Sequence, residues 1–244
     1  VLSLTDALSW SSRLVALSVA LQMLELLWLR RARAEGGPLA ALGAGNSWLL
    51  WLALTLALWL LVAGASPLLL ALFVSYLWLI ARLGAPFNGG SDALTALSLL
   101  MLGGASLLPR ESLIMKGALA YLGVQTMLSY FVAGVTKLKE RGWRRGSALL
   151  HFASLPKYGV PRRAVLLLRK PGVARAVSWL ILLFECSFPL ALISPSVCLA
   201  YLSMGATFHA ANAALFGLNR FLFSWLALYP LLLALSQIVP WRGD

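Results

Sequence analysis

Residues 47–83 read SWLLWLALTLALWLLVAGASPLLLALFVSYLWLIARL, and this stretch decides the fold. Arg82 is the sole charge in it. A helix that crosses the ~30 Å hydrocarbon layer needs roughly 20 mostly apolar residues. Two such runs, 47–64 and 67–83, flank the turn signal Ala65-Ser66-Pro67. The same reading applied outward marks about eight spans in all. The other six lie near 7–29, 92–108, 113–136, 173–193, 196–216 and 221–239. Gly103-Gly104 is expected to break the fourth, and Ser194-Pro195 separates the sixth from the seventh.

The bulk numbers agree. Of 244 residues, 61% are hydrophobic and 11% charged, with a mean hydropathy of +0.85. Soluble domains carry about 25% charged residues. The chain therefore reads as one all-α, polytopic integral membrane domain over 1–244, a multi-pass protein of a bacterial or archaeal cell membrane. The formal net charge of +12 sits beside the hydrophobic spans. It signals topology and contact with anionic lipid headgroups, not nucleic acid.

Most of that charge lies in 137–175, between the fifth and sixth spans. Lys137, Lys139, Arg141, Arg144, Arg145, Lys157, Arg162, Arg163, Arg169, Lys170 and Arg175 face one acid, Glu140. Interleaved leucines and Pro156, Pro161 and Pro171 predict short interfacial helices and exclude a further span. The charge bias places this segment in the cytoplasm, on the side of Arg30, Arg31, Arg33 and Arg220. Cys186 and Cys198 fall inside spans, in no metal-ligand spacing, so no metal site is expected. The opening residues lack a signal peptide's cleavage pattern.

Ionisable groups inside a span each need a reason. Glu185, in Leu182-Leu183-Phe184-Glu185-Cys186, has the costliest position. It reads either as a structural acid bonding a neighbouring helix or as a functional group, with Arg13, Gln22, Asn212 or His209 as partners. His209 and Asn212 share a helical face, which suits an interhelical bond or the holding of a substrate oxygen. Tyr130, Gly134 and Lys137 share a stripe, where Gly134 leaves room for a ligand or a helix. Lys137 itself reads as a snorkelling helix-end lysine or as a reactive amine. Gln22, Asn88 and Asp92 are further polar groups in need of partners.

Two motifs carry a resemblance. The first is Tyr130-Phe131-Val132-Ala133-Gly134-Val135-Thr136-Lys137-Leu138 followed by Gly142-Trp143 and Gly146. The second is Phe208-His209-Ala210-Ala211-Asn212-Ala213-Ala214-Leu215-Phe216-Gly217-Leu218 with Phe221 beyond. Together they resemble the HTTM (horizontally transferred transmembrane) family, which includes the vitamin K-dependent gamma-carboxylase. The resemblance implies a membrane enzyme using a reduced quinone, with Lys137 as base, His209 catalytic, and Tyr130, Gly134, Glu185, Asn212, Asn88 and Asp92 around the ligand. It also implies alternatives: a non-catalytic subunit or assembly factor among other membrane subunits, or a maturation factor for secreted peptides with a thiol-redox partner. The chain departs from the carboxylase at Phe87-Asn88-Gly89-Gly90-Ser91-Asp92, which lacks the expected His. Full glutamate carboxylation is therefore not expected. The carboxylase also holds its lysine side toward the lumen, against the charge bias read here.

Overall fold

The computed structural model describes residues 2–32, 47–83 and 89–238, and the described residues form an all-α membrane helix bundle. The helices are α1 (Leu4–Ala32), α2 (Ser47–Ala63), α3 (Leu68–Leu83), α4 (Gly90–Ala105), α5 (Leu113–Lys139), α6 (Arg141–Arg145), α7 (Ser147–Ser154), α8 (Arg162–Arg169), α9 (Val173–Ser187), α10 (Pro195–Phe216), α11 (Asn219–Leu226) and α12 (Tyr229–Ile238). Over its described residues each of the eight predicted spans is largely helical. Among the described residues four stretches, Leu4–Leu29, Leu113–Lys139, Val173–Leu192 and Asn219–Ile238, are long and apolar enough to cross a membrane. The helices at Ser47–Ala63, Leu68–Leu83 and Gly90–Ala105 are apolar but shorter. At 1.5 Å per residue, those of 16 or 17 residues reach only about 24–26 Å.

The chain falls into two compact units. The first holds residues 1–123 and 223–235. Within it α1 packs on α2 and α4, and α3 packs on α2 and α4, so the four helices close a ring. Gly103 admits α3 closely, because a Cβ there would lie 2.9 Å from Leu70 Cγ. The expected break at Gly103-Gly104 does not occur. Helix α4 runs through both glycines to Ala105; the missing side chain of Gly103 serves packing, whereas Gly104 faces open space.

The second unit holds 124–222 and 236–244. Its organising feature is a hairpin in which α5 and α6 run antiparallel to α9. Gly134 lies against Cys186 and Glu185, the Trp143 carbonyl accepts from Ser178, and Gly146 lies against Ala174 and Arg175. As the chain advances from Gly134 to Gly146, its contact on α9 retreats residue for residue. Helix α6 thus continues α5, after a single extended residue at Glu140. Gly146 (φ 79°) then turns the chain into α7; a side chain there would strike the Arg175 backbone. The predicted basic segment 137–175 is accordingly composite. Its ends belong to α5 and α9, α6 lines α9, and α7, a 3₁₀ turn at Pro156–Tyr158 and α8 connect them, with α7 and α8 also packing on α9. No described helix between Glu140 and Gly172 exceeds eight residues, so this stretch makes no span.

Two other spans are less regular than their hydrophobicity suggests. Helix α9 tightens into a 3₁₀ turn at Phe188–Leu192, where Pro189 has no amide hydrogen for the helical ladder. The last span is interrupted at Ala227–Leu228, just before Pro230, which divides it into α11 and α12. Helix α10 begins as its Ser194-Pro195 signal dictates, with the Ser194 hydroxyl accepting the Val197 amide at 3.3 Å.

Candidate functional site: a buried lysine–glutamate pair

The stripe of α5 that bears Tyr130, Gly134 and Lys137 faces α9 and α10, and each residue on it has a distinct role. Gly134 permits the close approach. A Cβ there would meet the Cys186 backbone nitrogen at 2.7 Å and Glu185 Cβ at 2.8 Å. The room it leaves is therefore taken by a helix and not by a ligand. One turn on, the Lys137 ammonium donates to both carboxylate oxygens of Glu185, at 2.5 and 2.6 Å. The Glu185 side chain is 3% exposed and that of Lys137 23%. The pair thus has a sealed carboxylate and a reachable amine. The Trp143 ring lies 5.4 Å from the ammonium, within cation–π range.

One turn earlier, the Tyr130 hydroxyl lies 2.7 Å from His209 Nε2, with both residues 3% exposed. Aromatic rings enclose this contact. Tyr130 stacks on Phe188 at 3.9 Å with 10° between planes and meets the edge of Phe184 at 5.7 Å. Phe184 in turn contacts Phe208 and Tyr201. Phe184, whose edge Tyr130 meets, directly precedes Glu185 on α9, and Tyr130 lies two turns before Lys137 on α5. Tyr130, Lys137, Glu185 and His209 therefore form one cluster on α5, α9 and α10.

Several expectations change here. Glu185 is paired with Lys137, not with Arg13, Gln22, Asn212 or His209. Asn212 turns its amide back to the Phe208 carbonyl of its own helix at 3.0 Å. In the first unit, Asp92 is buried and takes part in a separate polar cluster. The Tyr76 hydroxyl lies 2.8 Å from Asp92 Oδ1 and 3.0 Å from Gln22 Oε1, and Gln22 Nε2 lies 3.4 Å from Asp92 Oδ1. Thr95 and Ser224 share a further buried contact at 2.9 Å. Asn88 lies outside the described residues. Sequence reasoning missed Tyr76, Phe184, Phe188 and Ser178. Tyr76 alone carried a signal, a hydroxyl within a run of leucines that must find a buried partner.

A profile of the HTTM domain family matches residues 109–236. That range contains all four residues of the Lys137 cluster and omits Gln22, Tyr76 and Asp92. The sporulation-delaying protein SdpB of Bacillus subtilis (strain 168) is 27% identical over 154 residues, which is 55% of this chain and 48% of SdpB. The chain thus spans about half the length of the curated relative it matches. No solved structure matches. With more than half of its length matched by the family profile, the chain belongs to the HTTM domain family.

Proposed function

We propose that the protein is a membrane enzyme whose second unit carries out proton transfer at the Lys137–Glu185 pair. The observation that carries this reading is the asymmetry of the pair: both Glu185 oxygens are bound by an ammonium that is itself partly open. Intramembrane ionisable residues are expensive and mark proton or substrate pathways more often than packing. Movement of one proton from Nζ to the Glu185 carboxylate yields a neutral amine next to a neutral acid. In a low-dielectric site such a neutral pair avoids the desolvation cost that burdens the ion pair. The amine then accepts a proton from a substrate at its exposed edge, and the resulting ammonium faces the new anion. Tyr130 and His209 close the inner wall and hold α5 against α10.

A quinone-class cofactor, as in the gamma-carboxylase, fits only the outer end of this cluster. The aromatic box does not admit its ring, because Phe188 covers one face of Tyr130 at 3.9 Å and His209 engages the hydroxyl. The exposed edge of Lys137 and the half-buried Trp143 ring would hold it, a donor for an oxygen and a surface for stacking. When bound it would supply the electron and proton exchange of a quinol. On the charge bias, this end faces the cytoplasm of a bacterial or archaeal cell.

One observation favours a second reading, a non-catalytic maturation or assembly factor. Lys137 and Glu185 satisfy each other, as do Tyr130 and His209, which is also how a structural clamp between helices is built. Quenching of Trp143 fluorescence by a short-chain naphthoquinone, in the full chain in nanodiscs, separates the two. The enzyme reading expects a saturable part of the quenching, above the background of the other nine tryptophans, that Trp143→Phe removes and Lys137→Ala weakens, with naphthohydroquinone oxidation by dissolved dioxygen lost in Lys137→Ala. Absence of both signals, with Lys137→Ala only lowering thermal stability, favours the clamp.

A further inference from the structure

The Lys137 cluster leaves the surface of α8 unexplained. This helix reads Arg162-Arg163-Ala164-Val165-Leu166-Leu167-Leu168-Arg169 and contains no buried residue. At helical spacing, Leu167, Ala164, Leu168 and Val165 follow one another on one arc, and Arg169, Arg162, Leu166 and Arg163 fill the other. Ala164, Val165 and Leu168 are half-buried while Leu167 is 52% exposed, so α7 and α9 cover the apolar arc only in part. The three arginines are exposed, as is the adjoining Lys170.

The position of α8 in the fold says what completes the cover. The α5–α6/α9 hairpin contains the ends of two stretches able to cross a membrane, Leu113–Lys139 and Val173–Leu192. Helix α8 packs on α7 and α9 and leads into α9 three residues later. It is thus held where the second of these stretches begins, and the start of a spanning helix is the level where hydrocarbon gives way to headgroups. A short helix with a half-open apolar arc and a cationic arc at that level matches an anionic bilayer surface in both charge and depth.

We propose that α8 is an in-plane anchor that binds an anionic lipid surface. Leu167 and Leu168 rest against the upper acyl chains, and Arg162, Arg163 and Arg169 sit on lipid phosphates. This binding is independent of any chemistry at Lys137. The arginine fork suits phosphate oxygens, and the open leucine edge distinguishes α8 from a merely solvated positive loop.

The test uses the full chain in nanodiscs, with Cys186 and Cys198 replaced by Ala and a single bimane-labelled cysteine at Leu167→Cys. Nanodiscs are of phosphatidylcholine alone or mixed with phosphatidylglycerol. Quenching by nitroxide-bearing lipid is compared with quenching by aqueous iodide. We expect the ratio of lipid to iodide quenching to rise several-fold with phosphatidylglycerol and to fall back at high salt. Arg162→Gln/Arg163→Gln/Arg169→Gln should abolish that rise, and the corresponding Lys variant should keep most of it. Thermal unfolding confirms that each variant is folded. Iodide access in both lipids, including the case where an acidic protein binds instead, overturns the proposal. So does equal lipid quenching with and without phosphatidylglycerol, which would leave an apolar contact without headgroup recognition.

Discussion

Replacing Gly134 with Ala probes the closest helix contact in the Lys137 cluster. The added Cβ would stand 2.7 Å from the Cys186 backbone nitrogen, 2.8 Å from Glu185 Cβ and 2.9 Å from Cys186 Sγ. Two of these three atoms lie on or next to the α9 backbone and cannot swing away. Relief therefore requires α5 and α9 to separate by roughly 0.7 Å, the shortfall from ordinary contact, which strains the Lys137–Glu185 bonds as well. Overpacking of this kind costs about 1–3 kcal/mol. Against it stands the gain from replacing a helical glycine, about 0.5–1 kcal/mol. A net loss of up to about 2.5 kcal/mol is expected, a fall in Tm of up to about 10 °C for a chain of this size. Gly117→Ala, on the same helix α5, is the matched control because nothing lies within 4 Å of its Cβ position. It should raise Tm. Both are measured by thermal unfolding in nanodiscs. If Gly134→Ala is as stable as Gly117→Ala, the helices do not meet at Gly134 and the placement of Glu185 opposite Lys137 is wrong.

Other expectations follow from individual contacts. Tyr130→Phe removes the partner of His209 Nε2 in a buried position and should cost about 1–3 kcal/mol in thermal or denaturant unfolding. Tyr76→Phe should destabilise the first unit by a similar amount, as it takes a hydroxyl from buried Asp92 and Gln22. The exposed Lys116 ammonium, 2.9 Å from Glu111, holds that carboxyl below its usual range. A depressed folded value means that the pair contributes above the unfolded carboxylate value and loses its contribution as pH falls through the folded one. NMR titration of Glu111 should show a midpoint that rises toward the ordinary value in Lys116→Ala. Glu111 also holds a left-handed φ of 65°, so Glu111→Gly should remove about 1 kcal/mol of backbone strain.

The helices were legible in the sequence because apolar runs of this length have one outcome in lipid. The limits of α2, α3, α5 and α10 follow from Ala65-Ser66-Pro67, Lys137–Lys139 and Ser194-Pro195. Helix α6 was not legible as a continuation of α5. Arg141-Gly142-Trp143-Arg144-Arg145 has the composition of a loop, and only the α9 groove that accepts Trp143 and Gly146 makes it helical in register. Lys137, Glu185, Tyr130 and His209 each stood out as polar groups in apolar surroundings. Their pairing did not, because it depends on which helices are neighbours, and local spacing directed attention to the His209–Asn212 face instead. Asp92 and Gln22 were visible as groups needing partners, and Tyr76, a hydroxyl among the leucines of α3, carried the same signal unread.

The central claim is that the Lys137–Glu185 pair moves a proton when a substrate or cofactor arrives. Infrared difference spectroscopy of the full chain in nanodiscs, before and after addition of a short-chain naphthohydroquinone, tests it most directly. Proton transfer to Glu185 should appear as loss of a carboxylate band and gain of a carboxylic acid band, both absent in Glu185→Gln and in Lys137→Met. A difference spectrum with no carboxyl change, or one that survives in Glu185→Gln, would contradict it.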